Sequence, residues 1–353
     1  MEGRENDGRT REGWRNEVPR LTDPTTDTTD EAPLEPDLPI CDPHHHLWRR
    51  PDNPYLLDDF LRDASSGGHR IVSSVAVECG AMYREAGLPE LRPVGETEFL
   101  EGIATENATA GSPTTVAAAI VAYADLALGD AVAGVLEAHL EASPTRLRGI
   151  RYSTMWDASD SFRSVPRAGL LRDTAVRQGF ARLQPLGLSF DAWLYHPQLP
   201  ELVELARDFP EVAVILDHIG GPLGLGPYEG RREEVFQAWS ADITALSSCP
   251  NVVLKLGGVG SLRSGYDWHT RDSGPGSAEL AEAMRPYFEF CIEKFGAGRC
   301  MFESNFPVDR VSYSYGSVWN AFKMLSRGYS ETERAALFHD TATRVYRLDG
   351  GAG

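Results

Sequence analysis

Ile40-Cys41-Asp42-Pro43-His44-His45-His46-Leu47-Trp48 runs from a short apolar pair into three consecutive histidines. On an extended segment, residues two apart share a face, so His44 and His46 point together while His45 points away. Two imidazoles on one strand make half of a divalent-metal site. A surface histidine cluster, or buried imidazoles satisfied by neighbours, is the alternative that this stretch leaves open.

Outward from that stretch, short apolar runs alternate with helix-like segments. The runs are Ile40-Cys41, Ile71 to Glu78, Thr115 to Tyr123, Leu147 to Tyr152, Leu188 to Tyr195, Val212 to Asp217, Val252 to Leu256 and Cys300 to Phe302. Continuous apolar runs suit parallel strands covered on both faces. Between them, Asp130 to Ala142 and Pro200 to Phe209 carry one apolar stripe each. Eight strand-helix units predict a closed (β/α)₈ barrel, with an open doubly wound sheet as the other arrangement of the same pattern. The stretches Glu78 to Gly111 and Ser261 to Gly276 read as long loops, the kind from which a barrel builds its site.

Two later histidines sharpen the reading of the first pair. His196 follows the fifth run and His218 the sixth, which places both at the strand ends where a barrel carries its chemistry. His44, His46 and His196 are the candidate ligands for a divalent metal, zinc or manganese, if one is bound, and His218 is the candidate proton shuttle. His69, His139 and His339 read as structural, and His269 reaches the site only through its loop. In the last strand Glu303 and Asn305 are two apart and share a face. Glu303 either orients water as a general base or forms an ion pair inside the barrel. Arg151, ending the fourth run, either grips a substrate carboxylate or pairs with Glu303 or Asp191. Trp48, Tyr83 and Arg84 are candidates for enclosing the substrate.

These positions together resemble the amidohydrolase-2 family, above all its lactonase-like branch. The likeness lies in Asp42 to Trp48, in Gly149-Ile150-Arg151, in Leu216-Asp217-His218-Ile219-Gly220-Gly221-Pro222, and in Leu254-Lys255-Leu256-Gly257-Gly258. It covers Leu38 to Leu348. The resemblance implies a (β/α)₈ barrel that hydrolyses lactones or related esters and amides, with metal dependence that varies across the branch. Decarboxylases that hold zinc belong to the same wider family and provide the rival activity. This chain departs from the family where Asn305 stands in place of the usual eighth-strand Asp. Asn cannot act as a base, so the role passes to Glu303, to Asp309, or to His218 with Asn305 orienting substrate. A non-catalytic binding barrel is the reading from a different class.

A formal net charge of −18 argues against nucleic acid or an anionic membrane as partner. A small carboxylated substrate, a lactone or related ester or amide, is expected instead, and a homo-oligomer paired through surface helices is compatible with the pattern. No run approaches the length of a membrane span. The five cysteines form no CxxC pair, which suggests buried reduced thiols and a cytoplasmic location. Residues 1–37, rich in Asp, Glu, Arg and Thr, read as a disordered leader ahead of a barrel over residues 38–350.

Overall fold

The computed structural model describes residues 31–159 and 164–348. Eight strands pair in parallel in sequence order: β1 (Ile40–His45), β2 (Ile71–Val77), β3 (Thr115–Ala122), β4 (Leu147–Ser153), β5 (Ser189–Trp193), β6 (Val214–Leu216), β7 (Val252–Leu256) and β8 (Cys300–Phe302). Each is followed by a helix: α1 (Leu57–Ser66), α2 (Val94–Ala110), α3 (Val132–Ala142), α4 (Thr174–Phe180), α5 (Leu199–Asp208), α6 (Arg232–Ser247), α7 (Ser277–Phe295) and α8 (Tyr315–Leu325). The ring closes just beyond β8, where Asn305 N donates to His44 O (3.0 Å) and His46 N to Phe306 O (2.8 Å). The chain folds as a (β/α)₈ barrel.

Side-chain alternation divides the core into two layers. One set of strand residues, including Phe190, Leu216, Leu254 and Phe302, packs outward under the helices. The other set, Cys41, Val75, Val121, Ile215, Val253 and Met301, fills the barrel interior together with Val345 and Tyr346 from the C-terminal turn. Two residues beyond Gly149, Ile215, Val253 and Met301 stand Arg151, Asp217, Lys255 and Glu303, all but the first wholly buried. The period of two that puts an apolar floor in the barrel thereby puts a charged layer directly above it.

Two boundaries differ from those expected. Half of Glu78 to Gly111 is helix α2, so the loop after β2 ends at Pro93. Residues 31–37 are not leader but part of the barrel's outer wall. Lys323 Nζ donates to Leu34 O (2.7 Å) and Glu35 O (2.8 Å), Leu34 N donates to Asn320 Oδ1 (2.8 Å), and Arg334 pairs with Glu35. Buried Lys323 and Asn320 need those partners, which a polar composition alone does not reveal. The rest of the expected leader lies outside the described residues. Among the described residues no helix is long and apolar enough to cross a membrane.

Candidate active site

At the top of β6 the backbone enters the left-handed region at His218 (φ 53°) and Ile219 (φ 51°), a conformation rare for side chains of this size. The bend turns both the amide and the ring of His218 onto Glu303. His218 N lies 3.2 Å and Nδ1 2.7 Å from Glu303 Oε1. Gly258, after β7, leaves room for this: a Cβ there, at φ +70°, would stand 2.4 Å from the His218 ring. The other Glu303 oxygen, Oε2, faces His44 Nδ1 at 2.9 Å. Glu303 is fully buried and joins two imidazoles, one carried by β1 and one by the end of β6.

Below them sits a cation. Lys255 Nζ is 2.7 Å from Asp191 Oδ2, 3.0 Å from Asp217 Oδ1 and 3.1 Å from His44 Nδ1. Tyr346 OH reaches up from the floor to the same Asp191 oxygen (2.6 Å). Burial opposes the Lys255 charge, but Asp191, Asp217 and Glu303 outweigh it and hold the ammonium up to about 12. Burial pushes the Asp191 carboxyl up to about 6 against the pull of Lys255. It also opposes the Glu303 carboxylate, yet the facing His218 and His44 rings bring that group down to about 2. His44 and His46 are held well below the usual imidazole range, first by burial and then by the charges of Lys255 and Arg151 respectively.

His44 and His46 do meet, with Nε2 atoms 3.3 Å apart, and His46 is fixed by Nδ1 donating to Val77 O (2.8 Å). His45 points away, stacked on Phe60 and bonded to Ser74. His196 stands apart: it packs edge-on against Tyr228 and lies 3.4 Å from Leu223 N through Nδ1. Among the described residues the group close enough to share an ion is His44, Asp217 and His218, whose donor atoms lie within 4.8 Å of one another. Asp217 Oδ2 is buried, accepts no hydrogen bond and lies 3.8 Å from Arg151 Nη1, while Asp217 Oδ1 and Glu303 Oε2 face Lys255 and His44. A buried carboxylate oxygen left in that state, beside two imidazole nitrogens, fits a divalent cation. The metal identity is not fixed by this geometry.

Arg151 pairs with neither Glu303 nor Asp191. Its Nε donates to Glu78 Oε1 (2.8 Å) and its Nη2 to Glu78 O, which leaves Nη1 facing His44 Nε2 (3.4 Å) and Asp217 Oδ2 (3.8 Å). A guanidinium held this way has no free fork for a carboxylate. Asp309 does not swing into the site; it is buried and accepts from Asn305 Nδ2 (2.8 Å), Gly260 N (3.0 Å) and Tyr313 OH (2.6 Å). Asn305 is therefore an amide anchored from behind, with left-handed backbone (φ 54°).

A pocket of about 560 Å³, mouth included, opens over this layer. Its walls include His46, Trp48, Arg50, Cys79, Arg151, Trp193, His218, Arg263 and Asn305. Trp193 meets His218 edge-on at 4.6 Å. Tyr83 and Arg84 are not among the lining residues, and Arg84 is an exposed partner of Glu98. Sequence reasoning assigned no role to Lys255, Asp217, Glu78 or Arg50. For the first two the signal was present, a charge inside an apolar strand run, which survives only when paired.

The sequence profile of the amidohydrolase family matches residues 41–348. A protein named y4mH from Sinorhizobium fredii is 35% identical over 336 residues, covering 88% of this chain and 99% of that one. An L-fucono-1,5-lactonase from Burkholderia ambifaria is 28% identical over 321 residues, covering 88% of this chain and 97% of its own. An amidohydrolase from Burkholderia multivorans, solved with bound zinc, superposes with a TM-score of 0.69 at 25% identity, over 88% of this chain and 99% of that one. With the barrel complete and the strand-end histidines in place, this chain belongs to the amidohydrolase family.

Proposed function

We propose that this chain is a hydrolase that opens a lactone or related ester of a small organic substrate in the pocket above His218. The observation that carries the reading is the Glu303–His218 pair: a buried carboxylate 2.7 Å from one ring nitrogen of a histidine that itself lines the pocket. Glu303, ionised, accepts the Nδ1 proton and fixes the tautomer in which Nε2 carries the lone pair. Nε2 takes a proton from water as the water oxygen attacks the ring carbonyl, then returns it to the departing ring oxygen, giving a hydroxy acid. Arg151 Nη1 and the Lys255 ammonium supply fixed positive charge beneath the developing oxyanion. Asn305, unable to act as base, orients substrate through its carbonyl oxygen. The lactonase relative supports this reading.

His44, Asp217 and His218 are the residues that would hold a divalent ion, which when bound supplies Lewis-acid polarisation of water or carbonyl. His218 Nε2 serves either the ion or the proton, so metal content decides between the two roles. A cytoplasmic setting suits five unpaired thiols.

The test is acid release from a panel of sugar-acid and γ-lactones, with elemental analysis of the purified protein and repetition after chelation. Lactone-dependent acid release that His218→Asn abolishes supports the proposal. Carbon dioxide release from aromatic acids with no lactone turnover would replace it with the decarboxylase reading. Ligand binding with neither reaction would make the chain a binding barrel.

A further inference from the structure

Arg50 stands on the rim of the pocket, half-buried and lining it, with its guanidinium carbon 4.4 Å from the centre of the Trp48 ring. Its Nη2 lies 3.5 Å from Cys79 O. The platform beneath is fixed: Trp48 donates from Nε1 to Asn53 O (2.6 Å), and its backbone pairs with Tyr55 in both directions (2.9 Å each). Arg50 forms no ion pair among the described residues, although the chain carries a net charge of −18 and Arg151, deeper in the same pocket, pairs with Glu78. No Asp or Glu is among the residues lining this pocket. A cationic pocket inside an acidic protein is a local choice of charge rather than a reflection of the whole.

We propose that the substrate carries a carboxylate outside the ring that is hydrolysed, and that Arg50, rather than Arg151, receives it. The proposal rests on the hydrolytic reading of the pocket and adds its substrate class. Stacking on Trp48 holds one face of the guanidinium and leaves its planar edge for a carboxylate, which matches that edge with two parallel hydrogen bonds. Arg151 cannot do this, because Glu78 occupies two of its three nitrogens. A guanidinium edge takes phosphate oxygens in the same two-bond fashion, so inorganic phosphate serves as the competing anion that tests the pocket's preference.

The experiment compares γ-butyrolactone with its γ-carboxylate as substrates, in the full chain and in Arg50→Gln and Arg50→Lys. Loss of one charge-assisted pair should reduce the preference for the carboxylated lactone about 10- to 100-fold in Arg50→Gln, chiefly through KM. Arg50→Lys should recover part of it. A second arm measures equilibrium binding of glutarate, which cannot be hydrolysed. Glutarate binding that outcompetes phosphate and weakens to the same degree in Arg50→Gln supports the subsite even if neither lactone is turned over, which separates its fate from that of the hydrolytic reading. Equal preference in wild type and Arg50→Gln, equal glutarate binding, or a change confined to product inhibition overturns the proposal.

Discussion

Glu303 is the residue on which the chemistry turns, because it fixes which nitrogen of His218 holds the proton. In Glu303→Gln the negative charge beside His218 Nδ1 is lost, so the imidazolium that forms when Nε2 takes a proton is no longer stabilised. Turnover should fall about 100-fold or more, with the fold retained by circular dichroism. The same carboxylate predicts a pH effect on stability. Its folded value near 2 lies below the ordinary 4.5, so its contribution is present above about pH 4.5 and disappears as pH falls toward 2. The difference in melting temperature between wild type and Glu303→Gln should therefore narrow from pH 5 to pH 2; a constant difference would remove the linkage. Asn305 makes an opposite case. Its Nδ2 donates to buried Asp309, so Asn305→Asp, which restores the residue usual in the family, sets two carboxylates face to face. That variant should lose about 1–3 kcal/mol in urea denaturation at pH 8, and the loss should shrink at pH 5 as the pair takes up a proton.

At the scale of elements, the strands were legible because each is a short apolar run covered on both sides. The helices were legible because their stripes repeat. What composition hid was the attachment of residues 31–37, whose contacts are backbone carbonyls meeting donors on α8 nearly three hundred positions away. Lys323 is wholly enclosed and also touches His69 Nδ1 at 2.8 Å, so without this segment its ammonium keeps a neutral ring as partner and loses two carbonyls. A chain beginning at Leu38 should be less stable by about 2–4 kcal/mol than one beginning at Glu31. Urea unfolding of the two compares them directly, and equal midpoints would show that the segment only rests on the barrel. Hidden for a different reason were the ligand groupings. His44, His46 and His218 could be assigned to one rim from their place after strand runs. His196 shares that place, but the chain after β5 turns immediately into a short helical turn that carries its ring toward Tyr228. Strand-end position specifies the rim of a barrel, not the direction in which a side chain leaves it.

For the whole molecule, closure of the ring is the feature with the least redundancy. β1 pairs along its length with β2, whereas β8 has three residues and the seam back to β1 depends on hydrogen bonds made beyond its end. The five thiols, all buried and none in a disulfide, report on how that ring opens. Cys41 lies in β1 inside the barrel, where burial pushes its thiol up to about 12. Cys249, Cys291 and Cys300 sit in the layer between strands and helices, away from the seam's inner face. Cys79 alone lines the pocket. In the native state a thiol reagent should modify Cys79 first, and a pocket ligand such as glutarate should slow it. At urea concentrations below the unfolding transition, Cys41 should follow before the remaining three, because local opening at the seam requires less free energy than loss of the whole core. Mass spectrometry of pulse-labelled protein resolves that order. A single shared rate for all four enclosed thiols would mean that the seam is as strong as the paired strands and that the barrel opens only as a unit.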